Sequence, residues 1–181
     1  YDPDKVFQTN VALCSKAQFI AGPHRPDEKL KLHATKTFLQ PLERLAIFDT
    51  DPIPGLNLSK DDSVNRLSAS PMLALHPGSG SERKNWPETK WAELLAKLLA
   101  ETNFNFLLIG GEAEGTRLQS LSAKLSSKRF QIAQNLPLVD LAARLKTCDA
   151  FLGHDSGISH LAAALNLPGL VLWGETIAEI W

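Results

Sequence analysis

The sequence has few of the residues that build covalent or metal cross-links. Its 181 residues include two cysteines, Cys14 and Cys148, which lie far apart and form no Cys-x-x-Cys pair. Neither a disulfide framework nor a cysteine-ligated zinc site is therefore indicated. This sparing use of cysteine is typical of the reducing cytoplasm, where we expect the protein to reside.

A strong charge of one sign and a long apolar run are also missing. The 19 Lys and Arg residues nearly balance the 20 Asp and Glu residues, giving a formal net charge of -1. The composition thus gives no electrostatic reason to expect a nucleic-acid partner. No apolar run approaches the roughly 20 residues of a spanning helix, and the first residues lack signal-peptide character. Attachment to a membrane surface and the oligomeric state stay open.

The two ends of the chain predict that it is part of a longer enzyme. Its only methionine is Met72, so the chain begins without an initiator residue. It stops at Trp181, where the pattern indicates the start of another helix. With 44% hydrophobic residues, the chain can still bury a substantial core.

Residues 71–181 show the alternation of an α/β fold. Short apolar runs predict strands near residues 72–76, 104–109, 130–133, 148–152 and 169–173. Amphipathic stretches predict helices over residues 88–101, 112–125, 138–146 and 156–165. Strands that alternate with helices predict a parallel sheet wound in right-handed βαβ units.

Residues 1–70 have a weaker pattern. Residues 5–7 and 18–21 are compatible with short strands around a brief helix at residues 12–16, and residues 33–45 with a helix interrupted at Pro41. Proline, glycine, serine and aspartate accumulate from residue 48 to residue 70, which indicates a linker. We therefore predict two parts, residues 1–70 and residues 71–181, with a boundary near Pro71.

The turn Gly-His-Asp-Ser-Gly at residues 153–157 follows a predicted strand, at the position where open α/β sheets bind ligands. Asp155 or Ser156 can cap the next helix, Gly157 allows close approach, and the first backbone N–H groups suit a phosphate. His160 lies one helical turn later and can add a donor. Ionised Asp155 would repel a phosphate, so we expect its carboxylate to accept from sugar hydroxyls, which predicts a nucleotide sugar. The alternative is an Asp N-cap beside an ordinary histidine.

Two other loops carry residues that can contact a nucleotide. The loop His-Pro-Gly-Ser-Gly-Ser-Glu-Arg-Lys-Asn-Trp-Pro at residues 76–87 offers tight turns and, at Lys84, a charge for a phosphate. It lacks the P-loop spacing, and a surface loop with a solvated lysine is the alternative. In the loop Gly-Gly-Glu-Ala-Glu at residues 110–114, an acid can accept both ribose hydroxyls. Such an acid also stabilises a helix start without any ligand.

Two motifs are better explained without catalysis. Asp49 and Asp51 spell the Asp-x-Asp of metal-dependent glycosyltransferases, but Pro52 and Pro54 follow them, which favours a turn. Residues 153–157 combine serine, histidine and aspartate, yet serine does not occupy the central position of Gly-x-Ser-x-Gly. A serine hydrolase is therefore not expected.

Taken together, the motifs resemble glycosyltransferase family 9, the ADP-heptose:lipopolysaccharide heptosyltransferases. The resemblance rests on residues 76–87, 107–114, 151–165 and 171–176, and it runs from about residue 72 to the end. Residues 1–70 look only loosely like the last part of the family's acceptor domain. The resemblance implies the GT-B architecture, in which two Rossmann-like domains face a cleft and the second holds the donor.

The resemblance also implies roles for individual residues. The diphosphate would be held by Ser79, Gly80, Ser81 and Lys84, with Ser156, Gly157 and His160 completing its cradle. Asp155 would orient the sugar, Glu114 or Glu112 would bind the ribose, and Leu136 would contact adenine through its backbone. Lys84, Asp155 and His160 would stabilise the leaving group and the donor sugar during catalysis. No residue matches the family's general base.

The implied reaction is a metal-independent inverting transfer, with no cofactor besides the donor. Heptose from ADP-heptose would pass to a lipid-linked or lipopolysaccharide-core acceptor at the cytoplasmic face of the inner membrane, which implies peripheral membrane contact. Two alternatives stay open at this point. One is a nucleotide-sugar epimerase or hydrolase of related fold, and the other is a non-catalytic nucleotide-sugar-binding module.

Overall fold

The computed structural model describes residues 2–58, 70–112, 114–125 and 128–181. The chain divides into a first unit, Tyr1–Ile53 with Ile177–Trp181, and a second unit, Pro54–Thr176. Part of the expected linker, residues 59–69, lies outside the described residues, and the boundary near Pro71 stays a prediction. Within the described part, no helix has the length and apolar character needed to cross a membrane.

The first unit consists of short helices. Helix α1 spans Val6–Cys14 and helix α2 spans Ala34–Leu39, with 3-10 turns at Glu28–Leu30 and Gln40–Leu45. The interruption expected at Pro41 is confirmed, since the α-helix gives way to the 3-10 turn there.

The strands expected near residues 5–7 and 18–21 are wrong. Residues 6 and 7 begin α1 instead, and residues 18–21 form no regular element. The Asp2 carboxylate explains the helix, because it accepts hydrogen bonds from the backbone N–H groups of Phe7 and Gln8, each at 3.0 Å. A carboxylate at this position satisfies N–H groups that a helix start leaves unpaired. The brief helix expected near residues 12–16 is the last turn of α1.

The second unit is built on a five-stranded sheet in the order β3-β2-β1-β4-β5. Its strands are β1 (Met72–His76), β2 (Asn105–Gly110), β3 (Phe130–Gln134), β4 (Ala150–His154) and β5 (Gly169–Leu172). The connecting helices are α3 (Glu88–Glu101), α4 (Gly115–Leu125), α5 (Leu138–Leu145) and α6 (Gly157–Ala164). Every neighbouring pair of strands is parallel, which confirms the predicted parallel sheet.

An apolar layer covers each face of the sheet because successive strand residues point to opposite sides. On one face Leu75 of β1 packs with Trp91 and Leu95 of α3 and with residues of α4. On the other face Ala74 packs in a cluster with residues of α5 and α6, including Leu141. Burying each large side chain contributes about 1.5–3 kcal/mol. Helices therefore cover both faces of the sheet, and the ends of the strands stay available to form a site.

The strand order places a topological switch point between β1 and β4. From β1 the chain moves outward through β2 to β3, and it then returns to add β4 and β5 on the other side. Loops that follow β1 and β4 consequently diverge, which opens a crevice at the carboxyl ends of these strands.

The strand expected over residues 148–152 begins and ends two residues later than predicted. Cys148 is part of the turn that ends α5, since its backbone N–H donates to the Leu145 carbonyl at 2.9 Å. Strand β4 therefore starts at Ala150 and includes Gly153 and His154, which were expected in the following turn.

Gly153 is packed too closely to accept a side chain. An added Cβ would lie 2.7 Å from Cζ of Phe151 and 3.1 Å from the His76 carbonyl oxygen. We expect Gly153→Ala to lower the free energy of unfolding in urea by about 1–3 kcal/mol. The control is Gly169→Ala in β5, where the nearest atom would be 3.4 Å away. An equal loss in both variants would contradict this packing.

Candidate functional site

Buried polar side chains concentrate at the carboxyl edge of the sheet. Among the described residues the buried polar side chains outside the first unit are His76, Glu114, His154, Asp155 and Ser159. Buried polar groups require hydrogen-bond partners, so their contacts define how this edge is organised.

Asp155 binds two donors through one oxygen. Lys84 Nζ lies 2.8 Å from Asp155 Oδ2, and the Thr176 hydroxyl donates to the same oxygen at 2.7 Å. Burial raises the pKa of Asp155, but the hydrogen bonds from Lys84 and Thr176 and the nearby charges of Lys84 and His160 outweigh it, so the pKa is below its usual value. The structure thus joins Lys84 and Asp155, two residues singled out from the sequence, through an ionised carboxylate.

Thr176 is a contact that sequence reasoning did not assign. It belongs to the Trp-Gly-Glu-Thr segment after β5, which contributed to the family resemblance but received no role. Its position after a strand next to β4 was the available signal, because parallel strands bring their following loops to one edge.

The Lys84 loop, residues 77–87, is organised by its own side chains. The Ser79 hydroxyl lies 2.7 Å from Asn85 Oδ1 and 3.0 Å from the Ser81 carbonyl oxygen. Gly80 has φ of +70°, in the left-handed region that favours glycine. Ser79 and Gly80 therefore shape the loop that presents Lys84.

The start of α6 is left open. Ser156 occupies the N-cap position, yet its side chain makes no capping hydrogen bond. Its Oγ instead lies 3.2 Å from His76 Nδ1 and 3.4 Å from Ser159 Oγ. A Cβ added to Gly157 would meet nothing within 4 Å. The start of α6 therefore has no side-chain cap and an exposed glycine, an arrangement that suits an anion.

The candidate ribose ligands differ in their surroundings. Glu114 is buried, its Oε2 accepts from the Gly111 N–H at 2.9 Å, and a Cβ on Gly78 would lie 2.3 Å from its Cγ. Glu114 therefore packs directly on the Lys84 loop, whereas Glu112 is exposed. Leu136 follows β3, two strands from β1, and its side chain packs on the core. The structure does not bring Leu136 to the Lys84–Asp155 pair.

The Asp-x-Asp motif at residues 49–51 has a local explanation. Asp51 Oδ1 accepts from the Ile53 backbone N–H at 2.9 Å, as expected for a turn. In the described ranges, no group of three or more His, Cys, Asp or Glu side chains is arranged to hold a metal ion.

Comparison with known proteins identifies the family. The model of the family described as glycosyltransferase family 9 (heptosyltransferase) matches residues 23–181. The chain belongs to glycosyltransferase family 9. This membership confirms the resemblance found in the motifs.

The similarity extends to individual family 9 proteins. Lipopolysaccharide heptosyltransferase 1 of Campylobacter coli is 32% identical over 130 residues, which cover 65% of this chain and 38% of that protein. The ADP-heptose lipopolysaccharide heptosyltransferase II structure from Escherichia coli has a TM-score of 0.65 at 25% identity, covering 74% of this chain and 44% of its own. A family 9 structure from Veillonella parvula has a TM-score of 0.72 at 18% identity, covering 90% and 47%. The GT-B type α/β fold is confirmed, and the chain spans less than half the length of these proteins.

Two buried histidines make stability depend on pH. Burial lowers the pKa of His76 from 6.5 to about 4, despite the opposing charge of Glu114, and it also lowers the pKa of His154. Below about pH 6.5 the unfolded chain therefore binds more protons than the folded chain, so stability falls as pH falls.

We expect His76 alone to remove about 3 kcal/mol from the free energy of unfolding as pH falls from about 6.5 to about 4. Urea unfolding across this range should show a smaller decrease for His76→Asn, whose amide can still reach Ser156 but does not titrate. The control is His24→Asn, at an exposed residue of the first unit. Identical pH dependence in unaltered protein and His76→Asn would contradict this assignment.

Proposed function

We propose that this protein acts in the transfer of heptose from ADP-heptose to a lipopolysaccharide-core-like or lipid-linked acceptor. Family 9 membership supports the transferase class. The Escherichia coli neighbour is named for ADP-heptose and lipopolysaccharide, and the Campylobacter relative is named for lipopolysaccharide. The observation that carries the proposal is the Lys84–Asp155 contact, which places a cation beside the open start of α6.

The Lys84 ammonium and the start of α6 can bind one diphosphate between them. Lys84 Nζ lies 2.8 Å from Asp155, and Asp155 directly precedes the N-cap residue Ser156. The positive end of the helix dipole and the lysine charge then act on the same anion. Ser81, His160 and Gly157 border this space in the proposal, with Ser79 and Gly80 shaping the loop.

This arrangement favours the leaving group of a sugar transfer. In the proposed step an acceptor hydroxyl forms a bond to the anomeric carbon, and the bond from that carbon to the β-phosphate oxygen breaks. The electron pair stays with ADP, so negative charge grows on the diphosphate while the acceptor loses its proton to a base. Prearranged positive charge from Lys84 and α6 stabilises that transition state, and no metal ion is required for the step as proposed.

Asp155 is proposed to orient the donor sugar. In the described structure both Lys84 and Thr176 use its Oδ2. Oδ1 can then accept a hydrogen bond from a sugar hydroxyl. The ionised state of Asp155 strengthens such a bond, because a charged acceptor binds more strongly than a neutral one.

Glu114 is proposed as the ribose ligand in preference to Glu112. Glu114 packs against Gly78 of the Lys84 loop, whereas Glu112 is exposed outside this contact. Adenine is proposed to lie toward the backbone of Leu136, where the turn after β3 begins. The Campylobacter relative is named for lipopolysaccharide. The proposal adds that the acceptor is presented at the cytoplasmic membrane face, with the protein in the cytoplasm and in peripheral contact with the membrane.

Calorimetric titration with ADP tests the diphosphate site. We expect Lys84→Ala to weaken ADP binding about 10- to 100-fold, because hydrogen bonds to charged groups contribute about 1.5–3 kcal/mol. The control is Lys90→Ala, which removes an exposed lysine of α3 that pairs only with Glu93 in the described ranges. No ADP binding, or equal affinity in Lys84→Ala and unaltered protein, would contradict the proposal.

A comparison of ADP with 2′-deoxy-ADP tests the ribose ligand. We expect Glu114→Gln to weaken ADP binding about 10-fold, since a charged acceptor for the hydroxyls is lost. The unaltered protein should prefer ADP over 2′-deoxy-ADP, and Glu114→Gln should show little preference. Glu112→Gln serves as the matched control and should retain the preference. A preference lost only in Glu112→Gln would reverse the assignment.

A further inference from the structure

We propose that His154 is a positioning residue that holds both ends of the Lys84 loop in the arrangement that receives the donor diphosphate. The inference rests on the proposed function and extends it to a residue that does not touch the ligand.

The His154 ring contacts the backbone near the beginning and the end of the Lys84 loop. Its Nε2 accepts a hydrogen bond from the Trp86 backbone N–H at 2.7 Å, and its Nδ1 lies 3.3 Å from the Gly78 carbonyl oxygen. Because Nε2 is an acceptor, the neutral ring carries its proton on Nδ1 and can donate it to Gly78. One side chain thus joins two separate points of the loop to the end of β4.

The ring itself has little freedom to move. His154 is 1% exposed and is the last residue of β4. Gly153, the residue before it, is paired with His76 of β1. The ring of Trp91 in α3 packs edge-on against it, with 5.5 Å between the ring centroids. Trp91 also contacts Trp86, with the centroids 5.6 Å apart. The His154 ring is therefore part of the core rather than of the Lys84 loop.

Burial and the nearby charge of Arg117 favour the neutral ring of His154. Burial lowers the pKa of His154, and the charge of Arg117 on α4 acts in the same direction, although the hydrogen bond to Gly78 opposes them. Arg117 is itself engaged, since it donates to the Pro77 carbonyl at 3.2 Å and to Glu82 at 2.7 Å. On β1, His76 is neutral as well, because its pKa is about 4. A neutral Nε2 is required, because a protonated nitrogen cannot accept from Trp86.

We call the two contacts of His154, with Gly78 and Trp86, the clamp. The clamp matters because Lys84 lies between Gly78 and Trp86 in the chain. Lys84 reaches Asp155, the residue directly after His154, so the loop and the end of β4 meet in adjacent contacts. Holding the loop before the ligand arrives lowers the conformational entropy that binding must remove. Loss of the Trp86 contact should therefore weaken diphosphate binding even though His154 does not contact the diphosphate.

Two amide variants separate the contacts of the ring. In His154→Gln the longer side chain can place its oxygen near the position of Nε2 and accept from Trp86. In His154→Asn the amide reaches only the position of Nδ1, which leaves the Trp86 N–H without its acceptor. We expect ADP affinity within about 2-fold of the unaltered protein for the Gln variant and about 10-fold weaker for the Asn variant.

Hydrogen exchange measures the clamp without any ligand. The Trp86 amide should exchange faster in His154→Asn and at the original rate in His154→Gln. The Thr102 amide, which donates to Leu98 at 3.0 Å after α3, serves as the control and should exchange at one rate in all three proteins.

Specific outcomes would overturn the inference. Unchanged ADP affinity in a folded His154→Asn variant would do so, above all if Trp86 exchanges faster there. If His154→Asn does not fold, His154→Gln provides the test. An ADP affinity about 10-fold weaker in His154→Gln, at an unchanged midpoint of urea unfolding, would contradict the role of His154. Absence of ADP binding by the unaltered protein would instead overturn the proposed function and the role in donor binding with it, while Trp86 exchange still tests the clamp.

Discussion

The contact between Lys84 and Asp155 is the interaction on which the site depends. The sheet order sets β1, β4 and β5 side by side, so the segments that follow them meet at one edge. Lys84 comes from the first of these segments, Asp155 from the second and Thr176 from the third, and all three meet at one carboxylate oxygen. The ionised carboxylate of Asp155 thus connects the parts of the chain that are proposed to bind the donor.

Around this pair, polar groups have hydrogen-bond partners within the protein. Ser159 donates to the His154 carbonyl, Ser156 lies against His76, and Glu114 accepts from Gly111. Burying such groups without partners would cost several kcal/mol, so these contacts are necessary for the edge to fold.

One of these contacts bears on the ligand binding that we propose. Ser156 is in position to cap α6, a contact that typically contributes about 0.5–2 kcal/mol, but its hydroxyl turns toward His76. The helix therefore lacks that local stabilisation, and no side chain caps its first turn. An uncapped helix start at a strand's carboxyl end suits the anion that we propose there.

Elements with a strong pattern and clear ends were predictable. Strand β1 and helix α3 have the bounds expected from the sequence, because an apolar run or a helical apolar stripe is flanked by proline or a cap. Strand β4 was displaced because Cys148 completes the turn of the preceding helix. The start of α1 was missed because it depends on the side chain of Asp2, which lies outside the helix and accepts from its N–H groups.

The edge of the sheet that carries the candidate site was predictable, but the side-chain contacts within it were not. Loops at strand ends could be recognised from the sequence because parallel sheets bind ligands there. The pairing of Lys84 with Asp155, the contact from Thr176 and the two bonds of His154 join residues that are far apart in the chain. Such contacts follow from the strand order and the side-chain packing, neither of which local patterns encode.

The most direct measurement is a crystal structure of the protein with bound ADP. Our account expects the diphosphate to lie within hydrogen-bond distance of both Lys84 Nζ and the Gly157 backbone N–H. A diphosphate that contacts only one of these groups, or that binds away from the edge formed by β1 and β4, would contradict it.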